Sequence, residues 1–265
     1  MWNVNTNKET FNVIDLQPPD PEPISELLTC ATFHPEHCHQ LLYATSKGVT
    51  RLCDLRCRAI QDKAGVEFGP EAEPLRTPYF SEITQSILHA ASAGDHQFLC
   101  RDYMTLRCWD VKMPRKPVYT LEVHPKLEQH FPRLLENESL FDHFDCAVST
   151  NGKYFATGTY ANSFFLHNTE SDTQTTIQAR DDSREPYVTA MGTRGGSARL
   201  NGGYTPPQHV LTFNEDDFQH NIVKVAFHPR VHALATAGLY KLYLYSPRSS
   251  AVTDLLLPDR LDSPR

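Results

Sequence analysis

Four times along the chain, three short runs of mixed apolar and polar residues follow one another with polar punctuation between them. The first set is LTCATF (28–33), a loop (34–40), LLYATS (41–46), Lys47-Gly48, and VTRLCD (49–54). The second is ILHAAS (87–92), QFLC (97–100), a tight turn at Arg101–Asp102, and MTLRCWD (104–110). The third is HFDCAVS (143–149), YFATGT (154–159) and SFFLHN (163–168), and the fourth is IVKVAF (222–227), ALATAG (233–238) and LYLYS (242–246). These runs predict strands, because side chains of an extended chain alternate between two faces. In VTRLCD, Val49, Arg51 and Cys53 alternate against Thr50, Leu52 and Asp54. Both faces carry apolar groups, so the strand is expected to have neighbours on each side.

The spacing makes the pattern a repeat. From the end of the first strand to the end of the third, the steps are Phe33 to Asp54, Ser92 to Asp110, Ser149 to Asn168 and Phe227 to Ser246, which are 21, 18, 19 and 19 residues. The links between sets vary, as in polar surface connections. The second set ends in Trp109-Asp110, the dipeptide that closes a blade in propeller repeats. The predicted fold is therefore all-β, a partial β-propeller of about four blades over residues 1–257, with helix scarce. Trp2–Val4 and Phe11–Leu16 read as outer strands of a preceding blade, and a seven-bladed parent accounts for the abrupt start. Pro18 to Pro23 is a stiff acidic connector. The link 180–208 contains Gly195-Gly196 and Gly202-Gly203 and few apolar residues, and reads as a disordered insertion. Residues 258–265 read as a tail.

Composition narrows the function classes. A net charge of −7 argues against nucleic acid, whose phosphates select basic faces. No run of about 18 apolar residues suggests a membrane span. The seven cysteines are an odd number and lie mostly within apolar strand patterns, where a reduced thiol behaves as a small hydrophobe. A reducing compartment is expected, the cytosol with the nucleus as a second location.

Several blocks go beyond a generic repeat: FNVIDLQP (11–18), ATFHPEHCHQLLYATSKGVTRLCDLR (31–56), PYFSEI (78–83), RDYMTLRCWD (101–110), ENESLFDHFDC (136–146), GTYANSFF (158–165), LTFN (211–214) and VKVAFHP (223–229). In these the chain resembles the WD40 B-type regulatory subunits of protein phosphatase 2A. The resemblance implies a non-catalytic subunit that docks on the phosphatase scaffold subunit and presents phosphoprotein substrates to the catalytic subunit. It implies no cofactor. The hairpin with which the family grips the scaffold lies in blades this sequence lacks, so scaffold docking is expected to be impaired. The family's helix-recognising positions fall at Ile24, Leu27, Tyr79, Phe80, Glu138, Phe141 and Asp142. The apolar side chains suit the apolar face of a partner helix, and the acids suit basic residues flanking it. Tyr79 stands where Phe is usual, and His143 where Lys is usual.

Other features have plainer readings. His34, His37, Cys38 and His39 crowd one loop and could ligate zinc, but adjacent residues point apart, and a surface turn is the expectation. Cys53 and Cys57 lack a second pair. Asp102 is expected to accept backbone N–H bonds in its turn. No nucleophile elbow or phosphate-cradling glycine loop is present in the sequence. The competing function is a WD40 adaptor of another complex, such as a substrate receptor of a ubiquitin ligase.

Overall fold

The computed structural model describes residues 2–3, 8–9, 14–16, 23–56, 65–69, 80–94, 96–124, 127–136, 140, 142–179, 187–191, 218 and 220–246. The chain divides into two compact units, Met1–His143 and Phe144–Arg265.

The first unit opens with a two-stranded ladder of β1 (Trp2–Asn3) and β2 (Lys8–Glu9), with Trp2 opposite Glu9. The second of these strands was expected at Phe11–Leu16. Ile14 to Leu16 are not in a strand, and Phe11 to Val13 lie outside the described residues. Lys8 and Glu9 pair with Asn3 and Trp2 instead.

Two four-stranded meanders follow. Sheet I holds β3 (Leu28–Phe33), β4 (Gln40–Thr45), β5 (Thr50–Asp54) and β6 (Val66–Phe68). A short helix α1 (Ser81–Gln85) leads into sheet II, which holds β7 (Ile87–Ser92), β8 (Gln97–Asp102), β9 (Thr105–Asp110) and β10 (Tyr119–Glu122). A 3-10 turn (Leu127–His130) runs into α2 (Phe131–Glu136). The expected tight turn at Arg101–Asp102 is displaced by two residues. Arg101 pairs with Leu106 and Asp102 with Ile87, so both remain in the ladder and the bend falls at Tyr103–Met104. Asp102 Oδ1 accepts from the N–H groups of Met104 at 2.8 Å and Thr105 at 2.6 Å, which closes that bend.

Sheets I and II share a core of Leu42, Ala44, Phe68, Ile87, Ala90, Phe98, Cys100 and Trp109. Phe68 meets Phe98 edge-on at 4.8 Å and Trp109 at 5.9 Å. Such aromatic pairs contribute about 0.5–1.5 kcal/mol beyond the area they bury. Trp109 of the Trp-Asp dipeptide is thus a core residue on the third strand of its sheet. Thr50 contacts Cys100 Sγ at 3.0 Å, and burial pushes that thiol far above its ordinary range.

The second unit repeats the plan. Sheet III holds β11 (Cys146–Val148), β12 (Tyr154–Gly158), β13 (Ser163–Asn168), β14 (Thr173–Gln178) and β15 (Tyr187–Met191). Sheet IV holds β16 (Ile222–Phe227), β17 (Leu234–Gly238) and β18 (Leu242–Tyr245). Ala156, Phe164, Ile222, Val225 and Leu234 form its core. Gly158 permits the close approach of the two sheets, since a Cβ there would lie 1.8 Å from the Ile222 carbonyl oxygen. β15 falls inside the link 180–208 expected to be disordered. It pairs with β14 from Gln174↔Met191 to Gln178↔Tyr187, and its sequence YVTAM is rich in strand-forming residues. The rest of that link and residues 258–265 lie outside the described residues.

Among the described residues no helix is long and apolar enough to cross a membrane.

Candidate partner-docking site

In sheets I and II, the start of the first strand and the turn between the second and third strands share one end. Leu28 pairs with Thr45 at the 46–49 turn, and Ile87 pairs with Asp102 at the 103–104 turn. The links that enter the sheets therefore arrive at the turn end. One link carries Ile24 and Leu27, and the other carries Phe80.

The first link is tied to the 46–49 turn. Leu27 N–H donates to Ser46 Oγ at 3.0 Å, and Ser46 N–H donates to Leu27 O at 2.9 Å. Lys47 Nζ donates to Ser25 Oγ at 3.1 Å. Ile24 and Leu27 remain 63% and 61% exposed. Between them Glu26 turns inward to Arg51 Nη1 at 2.9 Å. Burial pushes the Glu26 carboxyl up. Hydrogen bonds from Thr45 and Arg51, with the charges of Arg51 and Lys47, outweigh that and hold it below its ordinary value.

The same turn reaches the second link. Gly48 has φ +77, and a Cβ on it would lie 2.8 Å from Gln85 O at the end of α1. Phe80 precedes α1, and its carbonyl accepts Thr84 Oγ1 at 3.0 Å. Its ring packs on Phe131 of α2 at 5.0 Å, and Phe131 in turn meets Tyr103 at 6.2 Å. Phe131 is fully buried while Phe80 is half-buried. Beneath this layer His124 is buried. Its Nδ1 lies 2.9 Å from Tyr103 O, and desolvation with the nearby Arg101 charge holds its pKa well below the ordinary value.

The structure thus places Ile24 and Leu27 on one link and Phe80 on a second, joined through the Ser46–Gly48 turn. Asp142 is half-buried in the link after α2, and His143 beside it is exposed. Tyr79, Glu138 and Phe141 lie outside the described residues. Sequence reasoning missed the supports: Ser46, Glu26, Arg51 and Phe131. An acid between two apolar residues, as at Glu26, was the one available signal. The histidine loop has a structural account. His34 Nδ1 accepts from the N–H groups of Glu36 and His37 at 3.2 and 3.1 Å, and His228 does the same for Arg230 and Val231. Both histidines follow Phe and precede Pro, so they are turn formers of the repeat. Among the described residues no three His, Cys, Asp or Glu side chains are grouped to hold a metal ion.

No family model matches the chain. It is 36% identical over 263 residues to the alpha isoform of the 55 kDa regulatory B-type subunit of serine/threonine protein phosphatase 2A from Oryza sativa subsp. japonica, covering 94% of this chain and 44% of that protein. It is 31% identical over 252 residues to the gamma isoform from Oryctolagus cuniculus, covering 94% of this chain and 55% of that protein. The chain is a homologue of these 55 kDa B-type regulatory subunits. It spans about half the length of the curated relatives it matches. In fold it is similar to the crystal structure of Raptor from Chaetomium thermophilum, with TM-score 0.50, 15% identity, and coverage of 83% of this chain and 15% of that one. The B-type homologue is thus an all-β chain of antiparallel meander sheets of the WD40 propeller kind.

Proposed function

We propose that this chain is a non-catalytic, substrate-recruiting subunit of protein phosphatase 2A, acting in the cytosol with the scaffold and catalytic subunits on phosphoprotein substrates. The observation that carries the reading is the homology to B-type regulatory subunits across 94% of the chain. The exposed pair Ile24 and Leu27 supports it, because large apolar groups in water suit a partner surface, and Leu27 is held there by its backbone bonds to Ser46. Ile24, Leu27, Tyr79, Phe80 and Phe141 form the apolar part of the docking surface. Glu138 and Asp142 are its acidic rim. A partner helix lays anchors at i, i+3 and i+4 along it.

The test is affinity isolation of the tagged chain from cell extract, beside a 55 kDa homologue. Recovery of the phosphatase scaffold and catalytic subunits, below the homologue's level, supports the proposal, and recovery at the homologue's full level contradicts the expected impairment of scaffold docking. Recovery of ubiquitin-ligase components without either phosphatase subunit overturns it in favour of an adaptor of another complex.

A further inference from the structure

We propose that Arg51 is a positioning residue for the docking surface, acting through Glu26; the inference deepens the reading above and rests on it. The Arg51 guanidinium lies between two carboxylates. Nη1 donates to Glu26 Oε1 and Nε donates to Glu67 Oε1, each at 2.9 Å. Its central carbon lies 5.9 Å from the centre of the Tyr43 ring. The two carboxylates have different jobs. Arg51 and Glu67 are register partners of β5 and β6, so that pair joins strands already joined by backbone bonds. Glu26 belongs to no strand. It sits on the link that bears Ile24 and Leu27, and its ion pair crosses from that link to the sheet.

Shielding separates the two pairs as well. The Arg51 and Glu26 side chains are 14% and 15% exposed, whereas Glu67 is 58% exposed. An open pair contributes little, while a shielded one is screened less by water and salt. A link without ladder bonds otherwise samples many conformations, and a partner that binds it must offset that ordering. The Glu26 pair, with the Leu27–Ser46 and Ser25–Lys47 bonds, removes this freedom before a partner arrives. It turns Glu26 inward and leaves Ile24 and Leu27 facing water.

The experiment uses the full chain and a fluorescent amphipathic helical peptide with Leu at i, i+3 and i+4 and Lys on its flanks. Glu26→Gln and Arg51→Met are each expected to weaken peptide binding about ten-fold. The double variant should be no weaker than either, because both remove one shared pair. Glu67→Gln should change affinity less than about two-fold, and Arg51→Lys should recover part of the loss. Hydrogen exchange supplies a readout that a merely structural role would not move: the Leu27 amide should exchange faster in Glu26→Gln at an unchanged unfolding temperature. If Phe80→Ala weakens the peptide and the Glu26 and Arg51 variants do not, the positioning role is wrong and the docking surface stands. If Phe80→Ala leaves binding intact, the docking surface itself is wrong. An unfolding temperature that falls in step with affinity in Glu26→Gln would make the pair structural and overturn the inference.

Discussion

The Phe80 ring lies 5.0 Å from the Phe131 ring, tilted by 59°, and the two aromatics differ in what surrounds them. Phe131 is wholly enclosed and also meets Tyr103, whereas Phe80 is half-buried. Phe131→Ala should therefore open a cavity and cost about 3–5 kcal/mol of stability. Phe80→Ala should cost much less stability and weaken substrate recruitment about ten-fold while leaving phosphatase assembly unchanged, since an anchor aromatic contributes about 1.5–3 kcal/mol when a partner covers it. Denaturant unfolding and recruitment, measured on both variants, check the pair. Equal stability losses would make Phe80 a core residue.

Gly158 is fixed by backbone, not by chemistry at a site. A Cβ at that position would lie 1.8 Å from Ile222 O, and a carbonyl in a ladder cannot move aside as a flexible side chain can. Gly158→Ala should destabilise the second unit by about 1–3 kcal/mol or more. Gly69→Ala is the control, because its added Cβ would meet only Val49 Cγ2 at an ordinary 3.7 Å. Thermal unfolding followed by circular dichroism should show a lowered transition for the first and almost none for the second.

The inner three strands of each sheet were legible because each carries several apolar positions at fixed spacing. Leu28–Phe33, Ile87–Ser92, Ser163–Asn168 and Ile222–Phe227 fall where the pattern puts them. The outer strands were not legible. Val66–Phe68 has three residues, and Thr173–Gln178 buries only Thr176, so periodicity has little to act on. The helices are also short, five and six residues, too few for a helical pattern to declare itself. Site positions came from the family resemblance; composition did not reveal them. What the sequence hid is the support: Ser46 and Arg51 are remote from Leu27 and Glu26 along the chain and meet them only through the β4–β5 turn.

His124 gives the first unit an acid sensitivity. Its ring is buried and held neutral, with its pKa well below the ordinary value through desolvation and the Arg101 charge. In the unfolded chain the same group takes up a proton near pH 6.5. Below that pH the unfolded state binds more protons than the folded one, so stability falls with falling pH. Unfolding free energy should be level above about pH 6.5 and decline through pH 6 and 5. His124→Gln should be less stable near neutrality, because the contact between His124 Nδ1 and Tyr103 O is lost, and should show a flatter decline between pH 7 and 5. An unchanged slope in the variant would show that His124 does not set it.

Leu27 and Asp142 should separate by salt. Leu27 is already 61% exposed, so Leu27→Ala forfeits little in the free protein, and its N–H and C=O bonds to Ser46 do not depend on the side chain. The loss should appear on binding, as about ten-fold weaker recruitment of a helix that would have covered the side chain. Asp142→Asn should cost less, about 0–1 kcal/mol, because an ion pair at a half-buried, partly open position is still screened by water and salt. The Debye length is about 10 Å at 0.1 M salt and about 3 Å at 1 M, so the Asp142→Asn penalty should shrink toward nothing across that range. The Leu27→Ala penalty should persist, because apolar burial does not weaken with added salt in this way. Affinities of both variants measured at low and high salt check the assignment. A salt-sensitive Leu27 effect beside a salt-insensitive Asp142 effect would mean that the acid is buried in the complex and that Leu27 acts through its neighbours' charges.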